Sequence, residues 1–115
     1  MKNVEVDCMS DYSWNNISQS FKDSLLELAL LELIREKPDC CAGLVERLPK
    51  KTNLWLPLGE ANILLVRLTN HGMLKTVPVG SRFRRVYTLT VHGKEEIVDR
   101  VQQMKRFIKY VETQK

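Results

Sequence analysis

The sequence is poor in residues that build metal centres and disulfides. It has three cysteines and two histidines in 115 residues, and none of them shows the paired spacing that holds zinc. Cys8, Cys40 and Cys41 make an odd count, and adjacent cysteines such as Cys40 and Cys41 rarely bridge each other. His71 and His92 each lie beside a glycine, where a helix or strand is expected to end. We therefore expect structural roles for these residues, with no metal and no other cofactor.

Long apolar runs are also missing. The longest, from Leu25 to Ile34, is interrupted by Glu27 and Glu32, whereas a membrane-spanning helix needs about 18 apolar residues. The opening segment MKNVEVDCMS lacks the apolar stretch of a secretion signal. We expect a cytoplasmic protein without a membrane partner.

Catalytic patterns are absent as well. The sequence shows no Ser/His/Asp or Cys/His arrangement, no paired carboxylates with a plausible pocket and no glycine loop that would cradle phosphate. Four of its glycines (Gly59, Gly72, Gly80 and Gly93) fall where helices or strands are expected to begin or end, so backbone geometry explains them. The sequence predicts a protein that is not an enzyme.

Positive charge is present but unevenly distributed. The net charge is +4, and residues 73–90 contain Lys75, Arg82, Arg84 and Arg85 without any acidic residue. A concentrated basic segment is typical of a surface that binds phosphates, as nucleic-acid-binding proteins do. The alternative is a solvated hairpin whose charges serve solubility.

Helix breakers and apolar periodicity divide the chain into elements. Lys22–Glu36 is predicted as an apolar helix that ends at Pro38. The remaining predicted elements are a short helix capped by Asp39 and ended by Pro49, a third helix from Pro57 to Asn70, a hairpin of Leu74–Val79 and Arg82–Thr90, and a last helix from Val91 to Glu112 capped by Thr90.

The last helix carries an apolar seam. Its residues recur at spacings of four and three, which is the heptad pattern of paired helices: Ile97, Val101, Met104, Ile108 and Val111. The seam predicts a homodimer, and the alternative is a helix folded back on its own core.

This order of elements predicts a winged helix-turn-helix, mainly α with a small β-hairpin and a long C-terminal dimerisation helix. We divide the chain into an N-terminal arm or short helix (1–20), a winged-helix DNA-binding domain (21–90) and the dimerisation helix (91–115). The third helix is short enough to enter the major groove of DNA.

Three stretches carry a resemblance to a known family. They are Leu25–Glu36 followed by Pro38, Gly59–Leu74, and the segment RRVYTLTVHGKE at 84–95. In this order and spacing, residues 24–100 resemble the PadR-like transcriptional regulators. The resemblance implies a dimeric DNA-binding regulator, most often a repressor, that a small hydrophobic or aromatic molecule can release.

The chain departs from that family at two places. Cys40, Cys41 and Ala42 stand where the family usually carries His-Gly-Tyr, and Asn62 stands where it carries a tyrosine associated with DNA contact. Asparagine can still bind adenine, whereas nearby Glu60 repels phosphate. A winged-helix dimer that binds another protein instead of DNA is therefore the alternative function.

We predict site residues on this basis. The predicted DNA contacts are Lys50, Lys51, Asn62, Arg67, Lys75, Arg82, Arg84 and Arg85. Arg67 has a second possible role, because an arginine in mid-helix often serves as an ion-pair partner. Trp14 and Trp55 are candidate contacts for an aromatic effector, with ordinary packing as the alternative.

Overall fold

The structure is a computed structural model that describes residues 19–114, apart from the side chains at 81–83. Its elements in chain order are α1 (Gln19–Glu36), α2 (Cys41–Thr52), α3 (Leu58–Asn70), β1 (Leu74–Val79), β2 (Ser81–Leu89) and α4 (Val91–Thr113). This is the predicted mainly helical fold with one hairpin and a long last helix. Most of the predicted arm, including Trp14, lies outside the described residues, and its last two positions belong to α1.

The core is a leucine-rich cluster between α1, α2 and α3. Its most deeply buried side chains are Leu30, Leu31, Ile34, Leu44, Leu48, Leu56, Leu65 and Leu68. Because α1 is apolar around most of its circumference, it contacts α2, α3, α4 and β2 at once. This central helix therefore determines where the other elements lie.

The second helix begins and ends differently from the prediction. Its N-cap position is Cys40, and no side chain caps it. The backbone carbonyl of Asp39 instead accepts a hydrogen bond from the Tyr87 backbone N–H at 2.9 Å, which joins this turn to β2. The helix also continues past Pro49 to Thr52. A proline removes one backbone donor but has a helical φ, so the last turn survives on later bonds such as Thr52 Oγ1 to the Leu48 carbonyl at 2.8 Å.

The two strands form an antiparallel hairpin, which we call the wing (residues 74–89). Leu74 pairs with Leu89 at its base, and the register shifts at Pro78/Val79 near the tip. Gly80 turns the chain with a φ of 61°, a conformation that favours glycine. Leu74 and Tyr87 are buried against the helices, so the base of the wing is part of the core and its tip projects.

The last helix begins as predicted. The Thr90 hydroxyl accepts a hydrogen bond from the Gly93 N–H at 3.0 Å and donates one to the Gly72 carbonyl at 2.6 Å. Gly93 itself is buried, and a Cβ at this position would collide with the Met73 carbonyl and the Leu89 side chain. Glycine here lets α4 approach the base of the wing closely.

Candidate nucleic-acid interface

A cleft of about 760 Å³ lies where the wing faces the first turns of α2 and α3. We call it the interface cleft. It is lined by Cys40, Cys41, Ala42, Leu58, Gly59, Asn62, Arg84, Arg85 and Tyr87. The bridge between Asp39 and Tyr87 holds the wing against the start of α2 and so sets the width of this cleft.

The cleft brings together three of the predicted DNA contacts. Asn62 reaches it from the exposed side of α3, and Arg84 and Arg85 reach it from β2. Both arginines are exposed, and Arg85 donates a hydrogen bond to Thr76 Oγ1 at 3.3 Å across the wing. An amide that can bind a base edge therefore lies beside two guanidinium groups that can bind phosphates.

Arg67 does not share this cleft. It lies on the flank of α3 that faces α1, where its Nη1 donates to Asp23 at 3.1 Å and to Glu27 at 3.4 Å. The bond to Asp23 raises the pKa of Arg67 above its ordinary value, although partial desolvation opposes this. Arg67 thus takes the ion-pair role, and the predicted contact with the major groove does not fit its position.

Glu27 connects three helices. It is the buried charged residue of the described part of the chain, and it accepts from Arg67 of α3 and, at 3.2 Å, from Arg100 of α4. Arg100 also pairs with Glu96 at 2.7 Å. Each arginine has two carboxylate partners, so no buried charge in this network is left alone. Sequence reasoning missed the network, because its members lie on three different helices.

The predicted lysines are dispersed. Lys51 lies 3.8 Å from Glu36 and lines a separate groove between α1, α2 and α4, together with Ile97 and Val101. Lys50 and Lys75 are exposed but line neither that groove nor the interface cleft. Lys51 is therefore poorly placed for the DNA contact that we predicted. The side chain of Arg82 lies outside the described residues.

The cysteines were not predicted as cleft residues. Cys41 Sγ lies 3.8 Å from the Leu58 carbonyl, which it can reach as a donor, and burial raises the pKa of its thiol. The thiol therefore stays protonated and ties the start of α2 to the start of α3. The available signal was their position, since Cys40, Cys41 and Ala42 replace the His-Gly-Tyr of the resembled family.

The predicted dimer seam divides into two parts. Ile97 is 4% exposed because it packs into the core of its own chain, and Val101 packs against that core. Ile97 thus has almost no surface to offer a second chain, which corrects its assignment to the dimer interface. The rest of the seam (Met104, Ile108 and Val111) is 40–51% exposed.

An apolar groove of about 660 Å³ runs between α1 and the exposed half of α4. Phe21, Leu25 and Leu28 line it from α1, and Met104, Phe107 and Ile108 are the apolar residues that line it from α4. Phe107 is 66% exposed. We call this surface the α1–α4 groove.

Trp55 is 68% exposed in the segment between α2 and α3 and lines neither the interface cleft nor the α1–α4 groove. Within residues 19–114, no helix combines the length and apolar character that crossing a bilayer requires. The described residues also hold no cluster of three potential metal ligands.

A bundle of three helices followed by a hairpin and a long helix defines the winged-helix class. Solved structures share the whole arrangement. A PadR-like transcription factor from Bacteroides fragilis superposes with a TM-score of 0.72 at 23% identity, over 80% of this chain and 91% of its own. A PadR-like regulator from Bacillus cereus gives 0.70 at 22% identity, over 84% and 95%. A transcriptional regulator from Clostridium thermocellum gives 0.74 at 16% identity, over 84% and 96%.

The chain therefore has the PadR-like winged-helix fold, as its sequence led us to expect. No protein-family model matches the sequence, and no curated protein matches it.

Proposed function

We propose that this protein is a dimeric, sequence-specific DNA-binding transcriptional regulator that acts as a repressor by occupying its operator. The observation that carries the proposal is the interface cleft, where Asn62 of α3 lies beside Arg84 and Arg85 of the wing. In the winged-helix class, a helix in the major groove and a hairpin over the adjacent backbone divide the work between base reading and phosphate binding.

The second part of the proposal is the dimer. The α1–α4 groove and the exposed seam leave Met104, Phe107, Ile108 and Val111 in contact with solvent on one side of α4. Pairing two chains through this apolar side would bury it and would present two copies of α3 to one DNA duplex. A small hydrophobic or aromatic effector that enters the same groove would change the angle between the two copies.

The DNA-binding part is tested by fluorescence anisotropy with a labelled random duplex at several salt concentrations. We expect the Arg84→Ala/Arg85→Ala double variant to bind more weakly and to lower the slope of log affinity against log salt by about 0.9 for each phosphate that it no longer neutralises. Arg106→Ala is the matched control, because Arg106 is exposed on α4 and lies opposite the apolar seam. Unchanged affinity and slope in the double variant would rule out the wing as the DNA-binding surface.

One observation favours a second function, in which the protein binds another protein and no DNA. The sole cation of α3 is Arg67, which is engaged by Asp23 and Glu27, and exposed Trp55 and Leu58 lie near the start of the helix. The same titration separates the two functions. Absence of binding to any duplex at low salt and micromolar protein would favour the protein-binding module.

A further inference from the structure

The solvent-facing side of α3 has an unusual composition for a helix that enters the major groove. The residues opposite the buried Ala61, Leu64, Leu65 and Leu68 are Asn62, Ile63, Val66 and Asn70. They recur mainly at spacings of three and four, so they form one stripe along the helix. Ile63 is 59% exposed and Val66 is 44% exposed.

Each base pair shows the major groove a different pattern of chemical groups. Guanine is read most often by arginine or lysine, adenine by asparagine or glutamine, and thymine by apolar contact with its methyl group. The stripe contains no arginine or lysine, and Arg67 is held on the α1 flank by Asp23 and Glu27. It offers two amides and two branched aliphatic side chains, which suit adenine and thymine.

We propose that α3 reads A·T base pairs, with Ile63 and Val66 packed against thymine methyl groups and Asn62 bound to adenine. This inference rests on the proposed DNA-binding function and adds the base composition of the site. Arg84 and Arg85, in the same cleft as Asn62, complement the phosphates of that duplex in charge, which favours DNA over an apolar protein as the occupant of this face.

The test measures the affinity of the full chain for three alternating copolymers, poly(dA–dT), poly(dA–dU) and poly(dG–dC). The first two differ by the thymine methyl group alone. We expect binding in the order poly(dA–dT), poly(dA–dU), poly(dG–dC), with affinity falling about fourfold for each thymine methyl group that the protein no longer buries. Because replacing thymine by uracil leaves the hydrogen-bonding edges unchanged, the difference between the first two reports the apolar interaction.

Variants assign the base interactions to residues. Ile63→Ala and Val66→Ala should bring the affinity ratio of poly(dA–dT) to poly(dA–dU) close to one, while their affinity for poly(dA–dU) stays within about twofold of the unmodified protein. Asn62→Ala should instead weaken binding to both polymers by about tenfold. Val98→Ala is the matched control, since Val98 is 49% exposed on α4. All these side chains are exposed, so the variants should fold, which circular dichroism checks.

The outcomes separate the inference from the function beneath it. Equal binding of poly(dA–dT) and poly(dA–dU), or a preference for poly(dG–dC), would overturn A·T reading while leaving DNA binding intact. An unchanged ratio in both Ile63→Ala and Val66→Ala would also overturn it. Failure to bind any of the three copolymers would overturn the proposed function and this inference together.

Discussion

The two halves of α4 share one apolar period but have different surroundings. In the first half (91–101), Ile97 is 4% exposed and packs into the core, and Glu96 and Arg100 join the network around Glu27. In the second half (102–113), Ile108 is 51% exposed and lines an open groove. A heptad pattern therefore shows that a helix has an apolar side, but it does not show whether the same chain or a second chain covers that side.

The largest expected effect concerns the buried half. Ile97→Ala removes a core side chain and leaves a cavity, so it should lower the free energy of unfolding by about 2–5 kcal/mol. Urea denaturation measures this change at protein concentrations low enough to keep chains apart. A decrease below about 0.5 kcal/mol would mean that Ile97 faces a partner instead of its own core.

A smaller decrease is expected from the charge network that holds the first half of α4. Glu27→Gln keeps the shape of the side chain but removes the charge that faces Arg67 and Arg100, and it should lower the free energy of unfolding by about 1–3 kcal/mol in the same urea titration. Asp23 and Glu96 still pair with the two arginines, which limits the decrease.

The control for this variant is Glu32→Gln, on the same helix. Glu32 pairs with Arg35 at 2.8 Å on the surface, where an ion pair contributes about 0–1 kcal/mol. Equal decreases in Glu27→Gln and Glu32→Gln would show that the network does not anchor α4 more strongly than a surface pair does.

The smallest effect on unfolding is expected in the exposed half. Ile108→Asp should change the free energy of unfolding of separated chains by less than about 0.5 kcal/mol, because Ile108 is half exposed there. It should nevertheless raise the dissociation constant of the dimer by about tenfold or more, since an unpaired carboxylate would enter an apolar interface.

Light scattering coupled to size-exclusion chromatography measures that dissociation. Gln102→Asp adds the same charge at an exposed position of α4 outside the α1–α4 groove and serves as the control. A single-chain mass for the unmodified protein at high micromolar concentration would contradict the proposed dimer, and the contrast between the two halves of α4 would then have another cause.

Local chemistry was sufficient to predict most element boundaries. Thr90 caps α4 as its hydroxyl chemistry predicts, and Gly72 and Gly80 adopt positive φ at the turns where glycine was expected. Pro49 shows where local reasoning fails. It was expected to end α2, but later hydrogen bonds carry the helix through to Thr52.

Predictions about side-chain roles were less reliable than those about elements. Asn62, Arg84 and Arg85 do converge on one cleft, whereas Arg67 turns towards α1 and Lys51 lies near Glu36. The positions of Asp23, Glu27 and Glu36 decided these two cases. A carboxylate distant in sequence attracts a flexible cation only after the helices have packed, so a single segment does not reveal it.

By itself, the amino-acid sequence determined the succession of helices, the basic hairpin and the apolar side of α4. These features depend on helix breakers, caps and periodicity, which act over a few residues. The tertiary structure alone decided which charged groups meet, which half of the α4 seam is buried, and that the first turns of α2 and α3 open towards the wing. Those outcomes depend on contacts between residues far apart in the chain, such as Glu27 with Arg100, and packing creates such contacts.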